Sequence, residues 1–265
     1  NVTNMELMFK YSSFNQDIGS WDVSNVTNMG GMFHMNLVFN KPIGNWDVSS
    51  VTDMRFMFTG QLGANLSDGS QIISPTVFNQ PIGSWDVSSV TDMSYMFSAN
   101  SDFNQDISNW DVSGVIDSQG MGYMFYSAES FNQDISNWDV SNVTNMNRMF
   151  NNAELFNQPI GSWDVSNVTN MEYMFAFTDY FNQDISNWDV SNVTNMRGMF
   201  FSGGHNYDSG NPPPQNFYSP SVFNQDLSIW NVGNVVSCDY FCENSSFWTL
   251  PKPNFTNCSD DNGCN

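Results

Sequence analysis

Basic side chains are nearly missing from this 265-residue chain: six Lys and Arg stand against 27 Asp and Glu, with two histidines, His34 and His205. A net charge of −21 repels nucleic acid and anionic lipid, so neither is expected as a partner; it suits cations, basic partners or high-salt water. No run approaches the roughly 18 to 20 apolar residues of a membrane span and no signal peptide is visible, so direct membrane insertion is not expected. Catalytic groupings are lacking too. No His-Cys or Ser-His-Asp arrangement, no phosphate-binding loop and no isolated carboxylate pair stands out, which predicts a protein that is not an enzyme. Cysteine is absent until the last 28 residues, where Cys238, Cys242, Cys258 and Cys264 all fall.

What is present is one sentence repeated eight times. The pattern Phe-Asn-Gln-(Asp/Pro)-Ile-(Gly/Ser)-x-Trp-Asp-Val-Ser-x-Val-x-x-Met-x-x-Met-Phe opens at Phe14, Phe39, Phe78, Phe103, Phe131, Phe156, Phe181 and Phe223. The gaps are 25, 39, 25, 28, 25, 25 and 42 residues, so the basic period is 25 and three copies carry insertions. A self-similar period of this size predicts a solenoid, in which each coil buries its apolar side against its neighbours. With 40% apolar residues falling in register, disorder is not expected. The segment 1–9 matches the second half of a repeat, so the chain begins within a coil and reads as a piece of something longer. The expected organisation is a repeat solenoid over 1–241, with an incomplete first coil at 1–13 and loop insertions at 59–77 and 201–222, then a Cys-rich cap over 242–265.

Within one coil, Ile-x-x-Trp-x-Val-x-x-Val has the spacing of the leucine-rich-repeat L-x-x-L-x-L element. This predicts an α/β fold. Trp-Asp-Val is a short strand with Trp and Val inward and Asp outward, stacked coils align the strands into a parallel sheet, and Met29, Met32 and Phe33 form the stripe of one helical or 3₁₀ turn. The Asn of each Phe-Asn pair, from Asn15 to Asn224, does not vary and is expected to satisfy backbone groups as a stacked ladder. The position two residues further on holds either Asp or Pro and is expected to be exposed. An even number of cysteines confined to the tail predicts two disulfides in an oxidising compartment, with three possible pairings; zinc is the weaker alternative, since neither histidine is near.

These residues resemble the BspA-like surface-protein repeat, also found in mycoplasma-type surface lipoproteins, and the resemblance covers about residues 1–241. It implies an extracellular or cell-surface location, a leucine-rich-repeat-like fold, roles in adhesion or surface architecture and no enzymatic activity. The last copy departs from the pattern: Asn231 replaces Asp, Gly233 replaces Ser, and Tyr240-Phe241 stands for Met-Phe.

Two surface rows carry possible chemistry. Asp22, Asp47, Asp86, Asp111, Asp139, Asp164 and Asp189 should line up at about the 4.8 Å separation of neighbouring strands, where unscreened like charges repel. Either each is capped by its own turn, or the row binds divalent cations between coils, calcium being the one its oxygen ligands suit. Sequons start at Asn1, Asn25, Asn142, Asn167 and Asn192 in one coil phase, and at Asn65, Asn244, Asn254 and Asn257 outside it. They predict a ridge of N-glycans, or bare turn chemistry of the same composition. Tyr218 and Trp248, outside the register, are candidate ligand contacts. The expected function is a structural or adhesive surface protein that assembles with itself or with other surface proteins. The other readings are a monomeric module binding a glycan or protein through its sheet face and loops, and a repetitive surface that binds ice or mineral.

Overall fold

The computed structural model describes residues 2–65, 71–116, 119–202 and 221–258. Among them the chain winds into coils that stack in register, and neither a helix nor a parallel sheet is found. The expected α/β solenoid of leucine-rich-repeat type is therefore wrong. Among the described residues the only strands are β1 (Gln61–Asn65) and β2 (Gln71–Ser74), an antiparallel pair inside the insertion expected to be a loop, with Gln61 opposite Ser74 and Leu62 opposite Ile73.

The Trp-Asp-Val segment fails to become a strand because tight turns close on both sides of it. The Trp138 N–H donates to the Ile135 carbonyl at 3.1 Å and the Val143 N–H to Val140 at 2.9 Å, leaving too few residues between for a ladder. The side-chain alternation survives: Trp138 and Val140 are buried and Asp139 is exposed. Coil-to-coil backbone pairing lies elsewhere, just before the Met-x-x-Met-Phe stripe. Isolated parallel bridges run Asn4–Asn28–Asp53–Asp92 and Asn145–Asn170–Asn195–Ser237.

The stripe itself is a chain of turns. The N–H groups of Met171, Tyr173, Phe175 and Phe177 donate to carbonyls of the next coil, while those of Met174 and Thr178 donate three residues back. That alternation leaves no continuous run for the four-residue bonds of an α-helix. The second x of each Met-x-x-Met takes a positive φ, as at Leu7, Phe56, Tyr95, Tyr123, Arg148 and Tyr173, and so does Tyr240 in the corresponding Cys-Asp-Tyr-Phe of the last copy. Positive φ at the third turn residue is the sign of a type II turn. Fourteen non-glycine residues among those described share it, with φ between 51° and 63°, although each costs about 1–2 kcal/mol for an L-residue. The inter-coil hydrogen bonds and side-chain stacking offset that cost.

The core consists of columns. Within a coil the Phe of Met-Phe stacks on the Phe of the following Phe-Asn, at 3.9 Å for Phe125–Phe131 and 4.0 Å for Phe150–Phe156. Between coils the same rings repeat at 5.7 to 5.8 Å, as for Phe97–Phe125, Phe125–Phe150 and Phe150–Phe175. Buried indoles form a second column, parallel within 5° for Trp46–Trp85, Trp110–Trp138 and Trp188–Trp230. Each buried indole N–H of this column finds the Ile carbonyl of the preceding coil at 3.1 to 3.2 Å, as Trp138 does with Ile107 and Trp230 with Ile185. The asparagine ladder is present: Asn40, Asn79, Asn104, Asn132, Asn157, Asn182 and Asn224 each donate a backbone N–H to the preceding Asn Oδ1 at 2.9 to 3.2 Å.

The C-terminal segment closes the asparagine ladder and the Phe column. The Asn224 Oδ1 accepts from the Thr249 and Leu250 N–H groups, ending the ladder. Trp248 meets Phe200 and Phe223 edge-on, at 77° and 84°, where earlier rings lie flat. Its burial there, with Nε1 donating to the Gln225 carbonyl, makes it part of the cap rather than a ligand contact.

Candidate functional site

The Asp row is built from the turn that follows each Trp. Asp22, Asp47, Asp86, Asp111 and Asp139 accept both the hydroxyl, at 2.6 Å, and the backbone N–H, at 3.0 to 3.2 Å, of the Ser two residues on. Asp164 and Asp189 accept the N–H of Ser166 and Ser191 at 3.0 Å. The serine hydroxyl, then its N–H, holds the carboxyls of Asp22, Asp86, Asp139 and Asp189 below the ordinary value. Asp106, Asp134, Asp184 and Asp226 make the same turn before Trp, through the N–H of Ser108, Ser136, Ser186 and Ser228. Among the described residues no three His, Cys, Asp or Glu side chains converge in a way that could hold a metal ion. The row is thus a set of separate, locally capped carboxylates.

A second longitudinal feature escaped the sequence reading. Rings and cations at the positive-φ phase and its neighbours stack into a ridge beside the Phe and Trp columns: Tyr11–His34 at 6.1 Å, His34–Phe56 at 5.5 Å, Phe56–Tyr95 at 4.5 Å and Tyr95–Tyr123 at 4.3 Å; Tyr173, further along, is buried against Ala176 and Phe201. Arg148 then lies between Tyr123 and Tyr173, at 5.6 and 4.8 Å from their ring centres, and Arg197 between Tyr173 and Tyr240, at 5.6 and 5.4 Å. Lys10 sits over Tyr11, and Arg55 pairs with Asp53 at 3.2 Å beside the same line. Four of the six bases of the chain therefore gather here. Desolvation, then Lys10, lowers the His34 pKa to about 4, and burial pushes the Tyr95 hydroxyl up.

The repeat identifies the family. Segments 1–70, 65–123, 119–211 and 214–257 all match the family described as Mycoplasma protein of unknown function, DUF285. The chain belongs to this family. No curated protein and no solved structure matches it.

The remaining predicted sites of this DUF285 chain fall as follows. Asn25, Asn142, Asn167 and Asn192 are exposed, and their amides are engaged: Asn142 donates to the Ser113 carbonyl at 3.0 Å, Asn167 to Ser141 and Asn192 to Ser166, both at 2.7 Å. Asn244, Asn254 and Asn257 are exposed in the tail, where Asn257 donates to the Gly233 carbonyl. Asn1, Cys264, Tyr218, His205 and the side chain of Asn65 lie outside the described residues. Cys238 bonds to Cys258, and Cys242 is disulfide-bonded as well. The hydrogen-bond register corrects the alignment of the last copy. Met196 donates to the Ser237 carbonyl and Phe200 to Phe241, so Cys238 occupies the Met196 phase and Cys242 the Phe200 phase. Both cysteines sit at core positions and are buried.

Proposed function

We propose that this DUF285 chain is a non-enzymatic extracellular protein, a segment or subunit of a surface fibre, sheath or wall assembly with a structural or adhesive role. The observation that carries the reading is the welding of every coil to the next by the same bonds, which presents partners with long, rigid, periodic rows. The motif's likeness to BspA-like surface repeats supports a cell-surface location. The Cys238–Cys258 disulfide supports an oxidising compartment. Acid–base catalysis needs carboxyl groups driven apart by different surroundings, whereas the row carboxylates all share one turn. Negative-stain electron microscopy of native material, with light scattering of the purified chain, tests the proposal. Fibres, sheets or concentration-dependent oligomers are expected; a monomer at all concentrations that surface labelling of intact cells does not reach overturns it.

The ridge favours a second reading, in which the chain recognises a protein or glycan partner. Its cations and rings are concentrated on one line of an otherwise acidic body. Binding lost on Tyr11→Ala and Lys10→Glu, with a discrete monomer throughout, would select this reading over assembly.

A further inference from the structure

Following each Trp-Asp-Val turn, three columns of polar side chains run side by side along the stack. In the Asn-Val-Thr-Asn segments at 142–145, 167–170 and 192–195 the Val is buried and no outward side chain is charged, although the chain carries 33 charged residues, 27 acidic and 6 basic. The side chains are fixed before anything binds. Asn167 and Asn192 donate to the Ser141 and Ser166 carbonyls at 2.7 Å, and the Thr169 and Thr194 hydroxyls donate to the Thr144 and Thr169 carbonyls at 3.1 and 3.2 Å. One hydrogen-bond geometry sets one rotamer, so the methyl groups and the free lone pairs of successive threonines face the same way. Where the column lacks threonine it keeps the branched methyl: Ile116 is 62% exposed and Val236 68%.

Apart from Glu172, whose carboxylate accepts from the Asn195 amide at 3.3 Å along one edge, this face is neutral, rigid and periodic, so its partner should be the same. A charged mineral has no counter-charge to meet on it, and a polysaccharide that stacks on rings finds none there. A hydrogen-bonded solid of water offers partners to the polar atoms and contact to the methyl rows. Little rotamer entropy is lost on contact, because the side chains are already ordered. The geometry points to ice as the ligand of the Asn-Val-Thr-Asn face, held by the aligned threonine methyls and by the hydroxyl and amide groups beside them. The row of Asp139, Asp164 and Asp189 borders the face and keeps its solvated charge at the margin.

Ice-crystal shaping and inhibition of recrystallisation by the purified chain test the inference, alongside Thr169→Lys, Asn192→Lys and, away from this face, Ile229→Lys. The wild type and Ile229→Lys should facet ice and slow its coarsening. Thr169→Lys should lose most of this activity with an unchanged melting temperature; if it melts early, the same loss in a normally melting Asn192→Lys decides. A wild type indistinguishable from an inert protein at equal mass overturns the inference, as does full activity in either face variant. Intact-mass detection of N-glycans on Asn167 or Asn192 of native material overturns it too, since a glycan would cover the columns.

Discussion

The Asn132 carboxamide oxygen accepts from the Asn157 N–H at 3.0 Å and from the Gln158 amide at 2.8 Å, so one atom joins two coils twice. Asn132→Ala removes the acceptor and leaves a partly buried N–H without a partner. An unmet buried group costs about 1–3 kcal/mol, so the urea midpoint should fall by that equivalent while Asn132→Asp, which keeps an acceptor, loses less. His34 makes a different demand. Its pKa is lowered to about 4 in the fold by burial between Tyr11 and Phe56 and by Lys10, against an ordinary 6.5. The unfolded chain therefore binds the proton first as pH falls. Stability from this group is complete above about 6.5 and is lost progressively toward 4, where the folded ring also titrates. Melting temperatures measured across that interval should decline more steeply in the wild type than in His34→Phe. Equal slopes would show that the ring titrates as it does in the unfolded chain.

At the scale of the coil, the columns of Trp, Val, Ile, Met and Phe were legible, because a side chain that never changes phase must always meet the same neighbours. The secondary structure was not. A stripe at i, i+3, i+4 fits one helical turn, and it fits a chain of tight turns equally well; only the positive φ at residues such as Tyr123 and Tyr173 separates them. The ridge was illegible for a related reason. Its phase holds Leu7, Gly31, Phe56, Tyr95, Tyr123, Arg148, Tyr173, Gly198 and Tyr240, which reads as free variation until stacking joins the rings and guanidiniums. A third signal stood in the sequence unread: Pro at 42, 81 and 159 is followed two residues later by Gly, and Asp at 106, 134, 184 and 226 by Ser. Asp supplies the acceptor for the Ser N–H, while a Cβ on Gly83 or Gly161 would stand 2.3 Å from the carbonyl oxygen of Asp106 or Asp184. Gly83→Ser should thus destabilise the stack, by about 1–3 kcal/mol if the coil shifts to accommodate it, and Gly19→Ser, with 2.7 Å available and an Asp acceptor at 17, should cost less. Paired thermal melts of the two variants check the ordering.

Over the whole molecule, two electrostatic accounts of the Asp row predict different responses to salt. With a net charge of −21 and rows of carboxylates one coil apart, the folded stack repels itself more than the expanded chain does. Raising sodium chloride shortens the screening length to about 10 Å at 0.1 M, so the melting temperature should climb with salt and level off. Divalent ions should act through the same screening, with calcium no better than magnesium at matched ionic strength and EDTA without effect. That outcome follows from the site geometry, in which Asp22, Asp86 and Asp139 already spend an oxygen on their own serine and, among the described residues, no three His, Cys, Asp or Glu side chains converge. A calcium-specific rise, reversed by EDTA and absent with magnesium, would mean instead that adjacent coils share an ion, and that the second oxygen of each carboxylate is the one that matters. The same titration repeated on Asp139→Asn separates the two accounts. Under screening the variant starts no higher, because the fold favours the ionised carboxyl through its Ser141 bonds, and it responds alike to calcium and magnesium while gaining slightly less from salt. Under ion sharing it starts lower in calcium and loses the calcium-specific rise.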